Sequence, residues 1–132
     1  VLLQHGATSA ARLSHPLLTS VTSLTRDEMR ASVKQASLVI SHAGQGSTRM
    51  LAEMGASFVL LPRLRRYGEH VDDHQLLFAR TVEKFGIKHC TELERLIDYV
   101  KQPPSFFQGE LLQAPLLVEH LIARYKILEL QK

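Results

Sequence analysis

Cysteine is almost missing from this chain: Cys90 is the one thiol in 132 residues, which excludes an internal disulfide. Tryptophan is absent, and Phe and Tyr bring the aromatic share to only 6%. That is too thin for a nucleic-acid stacking platform, which interleaves basic residues with aromatic rings. No apolar run approaches the roughly 20 residues that a membrane-spanning helix needs, and no signal-peptide pattern of basic, apolar and small-residue regions opens the chain. The expected setting is a reducing, cytoplasmic one, with no nucleic acid as partner.

What is present points to a globular domain. The chain is 45% hydrophobic and 22% charged, enough for a real core. Sixteen basic against thirteen acidic residues leave a net charge of +3, suited to an anionic small ligand or an acidic membrane surface. Position 1 is Val, and VLLQHG reads at once as a buried strand, so a strand and a helix are expected to be missing ahead of it.

Strand and helix patterns alternate along the sequence. VLLQ (1–4) and the more exposed VTSL (21–24) read as strands. Thr25 and Glu28 make a capping box before RDEMRASVKQA, in which Met29, Val33 and Ala36 share a helical face. SLVIS (37–41) has the continuous apolar character of a strand covered on both faces. A helix of about ten residues should follow and end near Gly55. FVLLP (58–62) is a third buried strand, and RLRRYGEHV a polar, basic loop. Asp72 and Gln75 repeat the capping-box spacing before a helix whose Phe78, Val82 and Phe85 mark the buried face, with Gly86 stopping it. IKHC (87–90) is a short strand. Thr91 and Glu94 are spaced to cap a helix carrying Leu93, Leu96, Ile97 and Val100. Beyond the breaker QPPS, Val118, Leu121, Ile122, Tyr125 and Leu128 predict one amphipathic helix over 115–128. Strands separated by helices of this length imply βαβ units and an α/β fold, a doubly wound, mostly parallel sheet.

In such sheets ligands sit beyond the carboxyl ends of the strands, where helix amino ends offer unpaired N–H groups and partial positive charge. SHAGQGSTRMLAE (41–53) lies at such a handover, and a pyrophosphate suits residues 42–48, from His42 through Gln45 to Thr48. Gly44 and Gly46 would let an anion approach the backbone, and Ser47, Thr48 and one His42 nitrogen could donate to phosphate oxygens. Taken alone the G-x-G-S-T pattern is equally a tight structural turn. EHVDDHQ (69–75) precedes the next helix, so both loops should open on one edge of the sheet. One of Asp72 and Asp73 is expected to be an N-cap, leaving His74 and Gln75 to bond hydroxyls. RLRR (63–66) is either a solvated basic loop or a contact for phosphate or anionic lipid headgroups.

Two other chemistries do not fit. His42, His70 and His74 form no compact HExxH pattern and no cysteine pair accompanies them, so no metal is expected. GQGSTRM has no glycine two residues after its serine, so it is no nucleophile elbow.

SHAGQGST followed, after a helix and the strand FVLLPR, by YGEHVDDHQ resembles the nucleotide-sugar-binding half of GT-B glycosyltransferases of the lipid II N-acetylglucosaminyltransferase type. Within that group the chain looks like the small exopolysaccharide glycosyltransferase subunits of PssE type, related to the soluble subunit of the dolichol-linked N-acetylglucosaminyltransferase. The resemblance runs from about Val1 to Val100. It implies a single GT-B half domain at 1–102 and a C-terminal amphipathic helical extension at 103–132. It assigns His42, Gly44, Gly46, Ser47 and Thr48 to the donor diphosphate, and His74 and Gln75, with Asp73 nearby, to the donor sugar. Gln75→Ala should then impair sugar transfer and spare UDP binding. Met50 departs from the family, standing where many GT-B sites carry a ribose-gripping glutamate. Glu53 is three residues further on.

The implied activity is transfer of a hexosyl-type unit from a UDP-sugar, with no cofactor, to a polyprenyl-diphosphate-linked sugar acceptor. A membrane-anchored partner subunit would supply the acceptor side and hold the chain at the inner face of the membrane. The C-terminal helix either docks there, lies on the membrane or completes this domain's own core. No general base is assignable within the chain, His5 being the one candidate; the preceding segment or the partner would supply it. The alternative is a non-catalytic binding or scaffolding subunit. A nucleotide-sugar epimerase would need a second half-cleft that this length does not provide.

Overall fold

The computed structural model describes residues 1–10 and 13–109. The elements are β1 (Leu2–Gln4), β2 (Thr19–Val21), α1 (Arg26–Gln35), β3 (Val39–Ser41), α2 (Gln45–Glu53), β4 (Phe58–Leu60), α3 (His74–Val82), β5 (Lys88–His89) and α4 (Leu93–Lys101), with 3-10 turns at Arg65–Tyr67 and Glu83–Phe85. Each strand pairing among them is parallel. The fold is therefore α/β, as the alternating pattern predicts, with its strands divided between a β1-β2 sheet and a β3-β4-β5 sheet. Two compact units correspond to these sheets, Val1–Gln35 and the part from Ala36 onward. The helix expected at 115–128 lies outside the described residues.

In the first unit Leu2 stands opposite Thr19 and Gln4 opposite Val21. The second strand is thus Thr19–Val21 rather than 21–24, because Thr25 already belongs to the helix entry. The Glu28 N–H donates to Thr25 Oγ1 at 3.2 Å, and the Thr25 N–H donates to Glu28 Oε2 at 2.7 Å. That reciprocal pair is the capping box, and the Thr25 backbone N–H holds the Glu28 carboxyl below its ordinary pKa. Val33 is the buried residue of α1.

In the second unit β4 is the central strand, and Phe58, Val59 and Leu60 are all buried. Leu51 from α2, Phe78 and Val82 from α3, and Ile87 before β5 are buried as well. The expectation that β3 is covered on both faces needs correction: β3 is an edge strand of its sheet, and Ile40 is 45% exposed. Phe85 is likewise 39% exposed. α3 ends at Val82, and the tighter winding of Glu83–Phe85 carries Phe85 off the buried stripe. In α4 the apolar residues Leu93, Ile97 and Val100 are exposed, while Leu96 and Tyr99 are the half-buried pair. The Thr91–Glu94 capping box does not form; Glu92 is the N-cap and makes no side-chain cap bond.

After α4 the chain returns to the amino end of β4. Ser57 Oγ donates to the Pro104 carbonyl at 2.5 Å, the Phe107 N–H donates to the Ala56 carbonyl at 3.0 Å, and the Phe107 ring packs on Phe58. The opposite, carboxyl edge is left to the loops. Ser41 stands opposite Leu60 and Leu60 opposite His89, so the chain segments after β3 and β4 leave from the same edge.

Removing the reciprocal cap with Thr25→Ala should destabilise α1 by about 1 kcal/mol, measured by urea unfolding followed by circular dichroism; an unchanged midpoint would contradict it.

Candidate functional site

Residues 42–44 connect β3 to α2, whose N-cap is Gly44, and residues 45–48 form its first turn. The first helical bond runs from the Thr48 N–H to the Gly44 carbonyl at 3.0 Å. The amides of Gln45, Gly46 and Ser47 precede it and have no acceptor within the helix. α2 has no acidic residue in its first turn to offset the positive end of the helix dipole.

The two glycines serve different ends. Gly44 has ordinary extended dihedrals, φ −80° and ψ 142°, that any residue adopts. A side chain there would have to displace the His42 ring: a Cβ would lie 2.4 Å from His42 Cε1 and 3.0 Å from His42 Nδ1. The missing side chain is the seat of the imidazole. A Cβ on Gly46 would meet nothing within 4 Å, so the fold itself makes no demand for glycine at that position.

Thr48 is fully buried, and its Oγ1 donates to the Gly44 carbonyl at 2.7 Å. Its hydroxyl proton is thus spent on bracing the N-cap, where the sequence pattern suggested a phosphate donor. Ser47 is half-buried, Gln45 and Gly46 exposed.

The loop after β4 is held by its own side chains. Three successive amides, those of Arg63, Leu64 and Arg65, donate to Gln75 Oε1, Glu69 Oε2 and Asp73 Oδ1, each at 3.0 Å. These bonds satisfy backbone donors that have no acceptor within a strand or helix and fix RLRR at the sheet edge. Gln75 therefore does not complete a capping box with Asp72. Asp72 Oδ1 instead accepts the His74 N–H at 3.0 Å, and Asp73 is the N-cap by position without a side-chain cap bond. Asp72 also faces two imidazoles: its Oδ2 is 2.6 Å from His74 Nδ1 and its Oδ1 3.1 Å from His70 Nδ1. The His74 N–H, with the two rings, holds the Asp72 carboxyl below its ordinary pKa. Among the described residues no three His, Cys, Asp or Glu side chains are grouped to hold a metal ion.

The two loops meet at one contact. Gln75 Nε2 lies 3.2 Å from His42 Nδ1, although the residues are 33 apart in sequence. His42 is pushed below its ordinary pKa of 6.5, first by desolvation and then by the charge of Arg63. His42, Gln75 and Arg63 thus form one cluster beside the amino end of α2. Arg63 was hidden in the sequence within a basic run. The expected ribose position holds half-buried Met50, and the Glu53 carboxylate is paired with Arg49 at 2.9 Å. In the first unit, His5 Nδ1 is 2.7 Å from the Thr8 carbonyl, which can only accept, so the neutral ring carries its proton on Nδ1.

Gly44→Ala should displace the imidazole and break its contact with Gln75 while the domain stays folded, seen as a change in the His42 ring resonances. In the unaltered protein those resonances should titrate below pH 6.5. Because the folded-state pKa is lowered, the unfolded state binds more protons between that pKa and 6.5. The stability contributed by neutral His42 is complete above 6.5 and falls as the pH drops through this window. A midpoint above 6.5 would contradict the described packing.

The family model of the glycosyltransferase family 28 C-terminal domain matches residues 1–105, a stretch that includes both loops. No curated protein and no solved structure matches the chain. With parallel α/β architecture, two loops joined at one sheet edge and a match over most of its length, the chain belongs to the glycosyltransferase family 28 C-terminal domain, the nucleotide-sugar-binding half of GT-B glycosyltransferases.

Proposed function

We propose that the chain is the donor-binding part of a UDP-sugar-dependent hexosyltransferase. It works with a membrane-anchored partner on a polyprenyl-diphosphate-linked acceptor, in exopolysaccharide or related glycan assembly of PssE type. The observation that carries this reading is the 3.2 Å contact between Gln75 and His42, which gathers the two loops at the amino end of α2.

The donor diphosphate lies against the amides of Gln45, Gly46 and Ser47, with the Ser47 hydroxyl, His42 and the Arg63 guanidinium around it. Gly46 is open so that the anion can reach the backbone, and Thr48 and Gly44 keep the N-cap in shape. His74 and the second N–H of the Gln75 amide face the sugar hydroxyls, with Asp73 supporting them through Arg65. In the transfer step the acceptor hydroxyl oxygen bonds to the anomeric carbon as the bond from that carbon to the UDP oxygen breaks. The electron pair leaves with UDP, and the hydroxyl proton passes to a base outside the described residues. The helix amino end and Arg63 stabilise the charge that grows on the diphosphate. Among the described residues no helix is long and apolar enough to cross a membrane.

A non-catalytic scaffolding role is the second reading, favoured by Met50 at the ribose position and by the engagement of Glu53 with Arg49. Titration calorimetry with UDP and a panel of UDP-sugars, alone and with the membrane partner, separates the two. Saturable binding supports a donor site, and its absence in both conditions supports a scaffold. Gly46→Ala gives a sharper test. Replacing an unneeded helical glycine should leave the domain as stable, or more stable by about 0.5–1 kcal/mol, while UDP affinity falls at least about tenfold through steric exclusion. Unchanged affinity would remove the diphosphate from this turn.

A further inference from the structure

The orientation of the Gln75 amide follows from its neighbours. A backbone N–H can only donate, so the Gln75 atom 3.0 Å from the Arg63 nitrogen is the carbonyl oxygen. The other end is then the NH2 group, which also can only donate, and it lies 3.2 Å from His42 Nδ1. For that contact to be a hydrogen bond His42 Nδ1 must present its lone pair, which leaves the proton of the neutral ring on Nε2. The ring is exposed and lies against the entry to α2. It sits in the space left by the missing Gly44 side chain, with Nε2 3.4 Å from where a Cβ would be, next to the N-cap of α2.

We propose that Gln75 is a positioning residue that locks His42 as the Nε2–H tautomer, so that the imidazole offers a committed hydrogen-bond donor to an anion at the amino end of α2. A free neutral imidazole exchanges between two tautomers, one of which would turn a lone pair toward an anionic oxygen. The amide removes that form. The lowered pKa of His42 agrees, since it keeps the ring neutral and makes the tautomer matter at neutral pH. The backbone of Arg63 is the anchor: it fixes which end of the amide faces the histidine, and thereby which nitrogen of the histidine faces outward. The identity of the anion, a UDP-sugar diphosphate, rests on the function proposed above; the tautomer does not.

This role changes what Gln75→Ala should do. Loss of the amide should weaken UDP binding itself, about three- to tenfold for one orienting hydrogen bond, rather than spare it. Two measurements test the proposal. The first needs no nucleotide: nitrogen-15 NMR of the histidine rings, with His42 assigned by comparison with His42→Ala. The unaltered protein should show Nδ1 unprotonated and Nε2 protonated. Gln75→Glu keeps an acceptor for the Arg63 N–H but turns a second acceptor toward the ring, so Nδ1 should become protonated. Gln75→Ala should show exchange between tautomers. A His42 that carries its proton on Nδ1 in the unaltered protein, or an Nδ1 unmoved in both variants, overturns the proposal.

The second measurement is a double-mutant cycle on UDP affinity. Gln75→Ala should cost affinity in the unaltered background and nothing further in His42→Ala. Equal losses in both backgrounds would mean that Gln75 acts without His42, and would overturn the proposal. Should UDP fail to bind the unaltered protein while Nδ1 responds as described, the donor-site reading falls and the tautomer lock stands.

Discussion

One side chain ties the site together. The Gln75 amide accepts from the backbone of the loop after β4 and donates to the histidine of the loop after β3, so two segments that share only a sheet edge are held at a fixed spacing. The parallel register of β3, β4 and β5 brings both to the same edge, and Gln75, in the first turn of α3, spans what remains.

Around that bridge the fold divides its labour between rigid and open parts. β4 is buried throughout and sets the floor, and the chain segment 103–107 seals its amino end through Ser57, Ala56 and Phe58. At the carboxyl end, side chains rather than strands satisfy the backbone: Glu69, Asp73 and Gln75 take three successive amides of the basic loop, and Thr48 braces the N-cap of α2. Gly44 and Gly46 then differ in kind. One is empty because a ring of the protein fills the space, the other is empty with nothing of the protein beside it. That contrast is what makes the turn more than a tight connection.

Local features were legible in the sequence to the extent that their partners are close by. The Thr25–Glu28 box forms as its spacing predicts, α2 ends at Glu53 just before Gly55 with φ +62°, and Gly86, in the left-handed region, closes the turn after α3. The parallel α/β class followed from the alternation of apolar runs and helical periods. Identical spacing misled where a distant donor competed for the same side-chain oxygen. Asp72 and Gln75 look like Thr25 and Glu28, yet Gln75 is drawn to Arg63 and His42, neither within helical reach. Thr48 looked available and is spent on its own helix. Helical phase failed at Phe85 because the winding tightens, and in α4 because the less exposed face carries Leu96 and Tyr99 rather than the full apolar stripe. Arg63 could not be singled out from a run of four basic and apolar residues; only its backbone contact and its effect on His42 set it apart.

The central claim is that the turn after β3 receives the diphosphate of a sugar nucleotide. Mapping the backbone amide resonances of the protein during addition of UDP tests it most directly. The account predicts the largest shifts at Gln45, Gly46 and Ser47, followed by the Arg63 amide. Saturable shifts confined to other parts of the sheet edge, or to the Pro104–Phe107 end of β4, with these four amides unmoved, would contradict it.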